Sequence, residues 1–345
     1  MQEPVLLQSE IIIYMLNQEN ILVFGELLLR FSSTEDQFIS KNHTVSLFPG
    51  GSEANVSASL GQWNIPCAYV SCVPDNALAN NALQALQELG VNTSKTVLQG
   101  SRLGLYFLLS ANGLTSGEVV YDRKFSSFSS LTPGTIDWEK VLDGHTWFHW
   151  TALTPALSAN MAAVCKEALV AARKKGLKIS VDLNYRSRLW DYGKQPIDVM
   201  PELVEYCDVI MGNIWAVNKM LGIPVDEKLD RQTSAEDYTI HANASAKAVF
   251  DRFPQCKHIA NTFRFMDNPK HNLFYGTYHT PESNYISSIL ETNEVVDRIG
   301  SGDAFMAGLI YGLTSSNDGQ EIINKATSSG YKKLFVKGDF GDGSI

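Results

Sequence analysis

The sequence predicts an α/β protein: a wound, mostly parallel sheet flanked by helices, with a small β-sheet inserted as a lid. Three observations carry that expectation. Continuous apolar runs ending in glycine, such as Asn20-Ile-Leu-Val-Phe-Gly25, suit strands covered on both faces. From about residue 145 onward, strand-like and helix-like segments alternate, the pattern of a parallel sheet with right-handed crossovers. One stretch, 103–125, breaks the alternation and reads as a β-hairpin. Ligands of wound sheets bind at the carboxyl ends of the strands.

In chain order, residues 1–20 have weak periodicity and are expected to be an extension. A helix follows Gly51, with Val56, Leu60 and Trp63 at i, i+4 and i+7. Another runs through Ala79, Leu83 and Leu86 and stops at Gly90, where a left-handed cap suits glycine. The hairpin pairs Leu103-Gly-Leu-Tyr-Phe-Leu-Leu with Glu118-Val-Val-Tyr-Asp-Arg123 around Asn112-Gly113. Trp147–Thr151 reads as a strand, and Met161, Val164, Cys165, Ala168 and Leu169 as a helical face closed by Lys174-Lys175-Gly176. Strands follow at 177–183 and 208–211, the second ending in Gly212-Asn213. A polar stretch, 224–239, precedes a helix ending near Phe253, then a strand at 258–262. Segments 275–278 and 285–290 suggest a second hairpin. Finally Val295-Val296 is expected to be a strand running into Gly300, with an amphipathic helix from about Asp303 through Phe305, Leu309 and Leu313.

The 345 residues fit one large domain or two, and 44% hydrophobic with 19% charged residues is ordinary for a globular chain. No apolar run reaches bilayer length, and residues 1–20 lack the basic start of a secretory signal. The five cysteines are never spaced as CxxC and read as reduced thiols of a cytoplasmic protein. A net charge of −9 argues against a nucleic-acid binder, which needs a basic face. It leaves room for a nucleotide substrate held by backbone amides at a helix start.

Chemistry concentrates at two glycine turns. In Asp297-Arg-Ile-Gly300-Ser-Gly-Asp303, the amides of Ser301, Gly302 and Asp303 would face outward at the positive end of a helix and stabilise a transferring phosphoryl group. A carboxylate there could accept a proton from an attacking hydroxyl; the competing reading is a helix cap. In Gly50-Gly51-Ser-Glu-Ala-Asn55 a second turn enters a helix, and Asn55 offers a donor and an acceptor to sugar hydroxyls.

Together these residues resemble the ribokinase, or pfkB, family of sugar kinases, from about residue 20 to the C-terminus. The resemblance implies a ribokinase-like domain over 20–345 after an extension at 1–19, with lid segments at about 28–48 and 101–127. It also implies Asp303 as the base and Gly300, Ser301 and Gly302 as the anion hole, with Gly50, Gly51 and Asn55 on the sugar. Within the family the match is nearest to 2-keto-3-deoxygluconate kinases, through Tyr106, Tyr121, Arg123 and the run Asp182-Leu-Asn184-Tyr-Arg186. Tyrosines and arginines at those places hold an acidic sugar in such relatives, and arginine can grip a carboxylate through two hydrogen bonds. Arg123 and Arg186 are therefore expected on the substrate carboxylate, against the readings of a solvated hairpin cation for Arg123 and a brace on Asp182 for Arg186. Glu26 is open to a substrate-facing or a solvent-facing reading.

Several residues depart from the family pattern. Arg298 stands where a small hydroxyl residue is usual, Asn213-x-x-Ala216 lacks the Glu that organises magnesium, and Thr262-Phe-Arg264 has arginine in place of glycine. Asn213, Thr262, Arg264 and Arg298 remain the expected ATP contacts, with Mg²⁺ held mainly by phosphates and water and no protein metal site. The resemblance further implies a homodimer joined through the lid. Rival functions are a kinase for a neutral sugar such as fructose or ribose, or for a nucleoside, and a non-catalytic sensor. No GxxxxGK[ST] loop is present, no GxGxxG follows the first strand, and His145 and His149 would not converge on a strand.

Overall fold

Strand Ile21–Phe24 has no solvent-exposed residue because sheet neighbours flank it and helices cover it, which is why its run is apolar throughout. The computed structural model describes residues 19–33, 44–109 and 118–345; all but the last residue of the expected extension 1–19, and the Asn112-Gly113 turn, lie outside the described residues. The main sheet runs in the spatial order Asn284–Ile286, Asn272–His279, His258–Phe265, Val209–Met211, Lys178–Asp182, Trp147–Thr151, Ile21–Phe24, Cys67–Val70. Every pair from His258–Phe265 to Cys67–Val70 is parallel. The second hairpin adds the antiparallel edge, and Leu290–Thr292 also pairs with Asn272–His279. Two apolar clusters fill the helix layers on either face of this sheet.

Most helices begin where polar side chains cap them. Ser158 accepts from the Met161 amide, Asn76 from Ala79 and Asn213 from Ala216. The polar stretch 224–239 is not loop throughout: helix Ala235–Arg252 starts inside it, capped by Ser234 and led by Glu236 and Asp237, which suit its positive end. Residues 295–296 do not form a strand. The amides of Val296 and Asp297 both bond the Leu334 carbonyl, so no ladder can continue there. The helix that follows is Ser301–Ser315, starting two residues before Asp303. It is not amphipathic, because it is packed between helices Ser52–Gln62 and Gly319–Lys332 and buried on nearly all sides.

A separate small sheet holds Val45–Gly50, Leu28–Ser33, Gly104–Leu108 and Val119–Asp122 in that order. The expected hairpin is present, with Tyr106 opposite Tyr121. Its neighbour is a surprise: Leu28–Ser33 runs parallel to Gly104–Leu108, so this sheet is mixed. Among the described residues no helix is long and apolar enough to cross a membrane. All five cysteines are buried free thiols, and His149 is a core residue bonded to Ser180.

Candidate active site

The two glycine turns close on one another, with Ser52 and Asp303 251 residues apart in sequence. Asn55 Nδ2 donates to Asp303 Oδ2 at 2.7 Å, and Ser52 Oγ donates to Asp303 Oδ1 at 2.5 Å. Asn184 Nδ2 holds Ser52 Oγ at 2.9 Å, and the Asn184 amide bonds Asp182 Oδ1. Asp303 is therefore oriented by side chains from another helix and does not cap its own. Burial raises its pKa, against the two hydrogen bonds and the charge of Arg186, which lower it. Burial, with the charge of Asp303 behind it, pushes Asp182 up to about 7. Asn55 Oδ1 is buried and has no hydrogen-bond partner among the described residues, an acceptor available to a ligand hydroxyl.

Gly300 begins the helix at φ 82°, and a Cβ there would lie 2.4 Å from the Asp339 carbonyl. Gly302 faces open space, with nothing within 4 Å of where a Cβ would stand. The amides of Gly302 and Asp303 take no acceptor among the described residues, while that of Ser301 makes a long 3.4 Å bond to the Arg298 carbonyl. Open amides at the first turn of a fifteen-residue helix fit an anionic group.

The glycine pair divides its work. Gly51, at φ 131°, lines the cleft, and a Cβ would strike the Glu26 carbonyl at 2.2 Å. Gly50 is set back from the cleft, leaving room for the Asp339 carboxylate, which a Cβ would meet at 2.3 Å. Packing alone therefore requires glycine at this position, which is not among the residues lining the cleft.

The cleft has a volume of about 1000 Å³ and runs from the small sheet to the ends of the parallel strands. Tyr121, Arg123 and Arg186 all line it, as does the ring of Tyr106, whose hydroxyl donates to Asp339. Arg123 is no solvated cation: it is buried, and its Nε donates to Glu26 Oε2 at 2.6 Å. Glu26 is likewise buried and so does not face solvent, its second oxygen taken by Ser126. Arg186 is open to the cleft and, among the described residues, makes no ion pair within 4.0 Å; its charge bears on Asp182 and Asp303 without direct contact. Arg188, which sequence reasoning passed over, also lines the cleft and donates to the Val119 carbonyl across the small sheet.

On the far side stand Asn213, Thr262, Arg264 and Arg298. Asn213 Oδ1 is spent on the Ala216 amide. Arg298 is buried and donates to the His271 carbonyl at 2.9 Å, so it neither faces solvent nor points wholly at a ligand. Arg264 donates to Ser301 Oγ at 3.1 Å. Among the described residues no cluster of three or more His, Cys, Asp or Glu could hold a metal. The donor set fits phosphates: open amides, a guanidinium and a glycine with free space before it.

Behind the turn lies a buried charge network invisible to motif reading. Arg30 of the small sheet pairs with Asp297 at 2.8 Å and with Asp339 at 2.8 Å, all fully buried. Asp297 also accepts from the amides of Ile299 and Gly338, and Lys333 Nζ donates to the Val336 and Gly338 carbonyls. The small sheet is thus tied to the turn that ends in Asp303.

The pfkB family of carbohydrate kinases matches residues 18–249 and 275–339. A 2-dehydro-3-deoxygluconokinase structure from Thermotoga maritima superposes with a TM-score of 0.84 at 32% identity, covering 94% of this chain and 95% of the other. A 2-dehydro-3-deoxygalactonokinase of Haloferax volcanii is 23% identical over 92% of both chains. A 2-dehydro-3-deoxygluconokinase of Bacillus subtilis is 24% identical over 92% of this chain and 90% of its own. The matched residues take in both glycine turns and the carboxylate they share, and the chain is a member of the pfkB family of carbohydrate kinases.

Proposed function

We propose that this sugar kinase uses ATP to phosphorylate 2-keto-3-deoxygluconate (2-dehydro-3-deoxygluconate) at its terminal hydroxyl, giving the 6-phospho sugar acid. One observation carries the reading: a buried carboxylate, Asp303, is held by Ser52 and Asn55 beside open helix amides, in a cleft whose cations are arginines. The 6-hydroxyl oxygen forms the new bond to the γ-phosphorus, and its proton passes to Asp303. The bond from that phosphorus to the bridging oxygen breaks, and its electron pair leaves with ADP. Asn55 Oδ1 and the Gly51 backbone orient the sugar, and the amides of Gly302 and Asp303 receive the phosphoryl charge. Mg²⁺, carried by phosphates and water beside Asn213, would neutralise part of that charge.

The acid end belongs chiefly to Arg186. Glu26 neutralises Arg123, whereas Arg186 keeps a whole positive charge facing the cleft. Arg186→Ala is expected to weaken the sugar acid by about 1.5–3 kcal/mol, the range for hydrogen bonds to charged groups. The check is KM for the acid, measured where it reports binding; an unchanged value counts against the contact.

The substrate is tested by ADP formation with 2-keto-3-deoxygluconate, its galacto epimer, fructose, ribose and adenosine. Preference for a neutral sugar or a nucleoside defeats the carboxylate assignment. Ligand binding without ADP under saturating magnesium favours a sensor.

The small sheet supports a homodimer. Leu47, Phe31, Phe107 and Val120 stand in one row across its four strands, on the face away from the cleft. Leu47 is 46% and Val120 43% exposed, an apolar strip suited to a second copy. Sedimentation should give a dimer that Leu47→Glu dissociates; a wild-type monomer at micromolar concentration rejects the pairing.

A further inference from the structure

We infer that Arg264 is a catalytic residue, a fixed cation that contacts the γ-phosphoryl group of ATP during transfer; this rests on the kinase reading above.

Arg264 lies near the carboxyl end of strand His258–Phe265, and the two-residue period of the strand decides where it points. Phe263 stacks on Tyr275 at 4.8 Å between ring centroids, and Phe265 packs on Tyr238 at 5.3 Å. These anchors turn the residue between them to the opposite face, where Ser301 begins the helix that carries Asp303. The 3.1 Å bond from Nη1 to Ser301 Oγ fixes one arm of the guanidinium beside the open amides of Gly302 and Asp303.

Its charge is unspent. Among the described residues no carboxylate lies within 4.0 Å of it, and the residues that bear on it electrostatically are two more cations, Arg186 and Arg298. Desolvation in the cleft, then those like charges, push its pKa down to about 10, so it stays protonated at neutral pH. Three guanidiniums around one space raise the energy of the empty cleft, and an anion relieves it. The acid end of the sugar takes Arg186, and Arg298 is spent on backbone carbonyls. Arg264 is the guanidinium tied to the helix start itself, where three equatorial oxygens of a transferring phosphoryl would carry growing charge. An arginine placed there offers a planar pair of donors that lysine lacks.

The test uses Arg264→Gln and Arg264→Lys in the full chain. Because Arg264 is open to the cleft and in no ion pair among the described residues, both variants should melt as the wild type does. Arg264→Gln should lower kcat about 10²-fold or more, as loss of one preorganised donor to a developing oxyanion does, and leave KM for the sugar acid unchanged. Arg264→Lys should recover only part of the loss. Calorimetry without sugar supplies a readout apart from turnover: Arg264→Gln should weaken a non-hydrolysable ATP analogue about tenfold while ADP binds as before. Equal weakening of both nucleotides, or of neither, overturns the assignment. So does a kcat within about threefold of wild type, or a loss confined to KM for the acid, which would place Arg264 on the sugar carboxylate. Absence of turnover in the wild type itself would instead overturn the kinase reading, so the two failures are distinct.

Discussion

Asp303→Asn is expected to lower kcat by roughly 10²–10⁴-fold, the usual range for a positioned general base, with both substrates bound nearly as before. The substitution is close to isosteric in its surroundings. Asn55 Nδ2 can only donate, so the introduced amide must turn its oxygen toward Asn55 and its nitrogen toward Ser52, whose hydroxyl can accept as well as donate. The shape of the site survives and only the proton acceptor is lost. Near-normal turnover would remove Asp303 from the role. The wild type supplies a second measurement. A base works deprotonated, and burial holds the Asp303 pKa above the ordinary carboxylate value of 3.8. The kcat/KM profile should therefore rise with pH along an acid limb centred above that value. Asp182, pushed up to about 7 by burial and by Asp303, shares the site, so the limb belongs to the pair and not to either group alone. Asp303→Asn should shift or abolish that limb, whereas a limb unchanged in the variant would assign it elsewhere.

The parts of this site that could be read from the sequence are those where local chemistry is decisive. A strand such as Ile21–Phe24 is apolar on both sides because both sides are covered, and a run of that kind needs no partner to be recognised. Gly51 and Gly300 mark turns because their φ angles of 131° and 82° exclude side chains, whatever lies nearby. Asn55 and Asp303 could be matched because each sits at a fixed offset from its own turn. What escaped depends on partners far along the chain. Arg30 stands in the inner strand Leu28–Ser33; its Asp297 partner is 267 residues away, and the side chain is fully buried. Glu26 and Arg123, 97 residues apart, each look like a surface charge until they meet. The packing that demands glycine at Gly50, against the Asp339 carboxylate, is likewise invisible from its own turn. Val295-Val296 has the composition of a strand, but its amides are drawn to Leu334, from a turn that sequence periodicity does not connect to it.

Arg30→Ala should destabilise the fold by about 3–5 kcal/mol, the cost of leaving buried charge without its partner. The guanidinium lies 2.8 Å from a carboxylate oxygen of Asp297 and 2.8 Å from one of Asp339, and stacks over Phe48 at 4.6 Å. Removing it leaves two buried acids and, among the described residues, Lys333 as the cation beside them, its ammonium already bonded to backbone carbonyls. The shift in urea midpoint at unchanged m value measures the loss. The cost should come from uncompensated charge more than from the pairs themselves. Arg30→Met combined with Asp297→Asn and Asp339→Asn should then recover much of the stability, because neither acid of this network keeps a charge to be balanced. Turnover should not follow stability back. Asp297 holds the Ile299 and Gly338 amides, and Arg30 ties that acid to the same small sheet whose Tyr106 reaches Asp339. Without those ties the glycine turn loses its fixed position relative to Ser52 and Asn55, and kcat stays low in a protein that is folded again. A single Arg30→Ala variant with wild-type midpoint would show that water or rearrangement compensates the acids, and the link from small sheet to catalytic turn would lose its energetic basis.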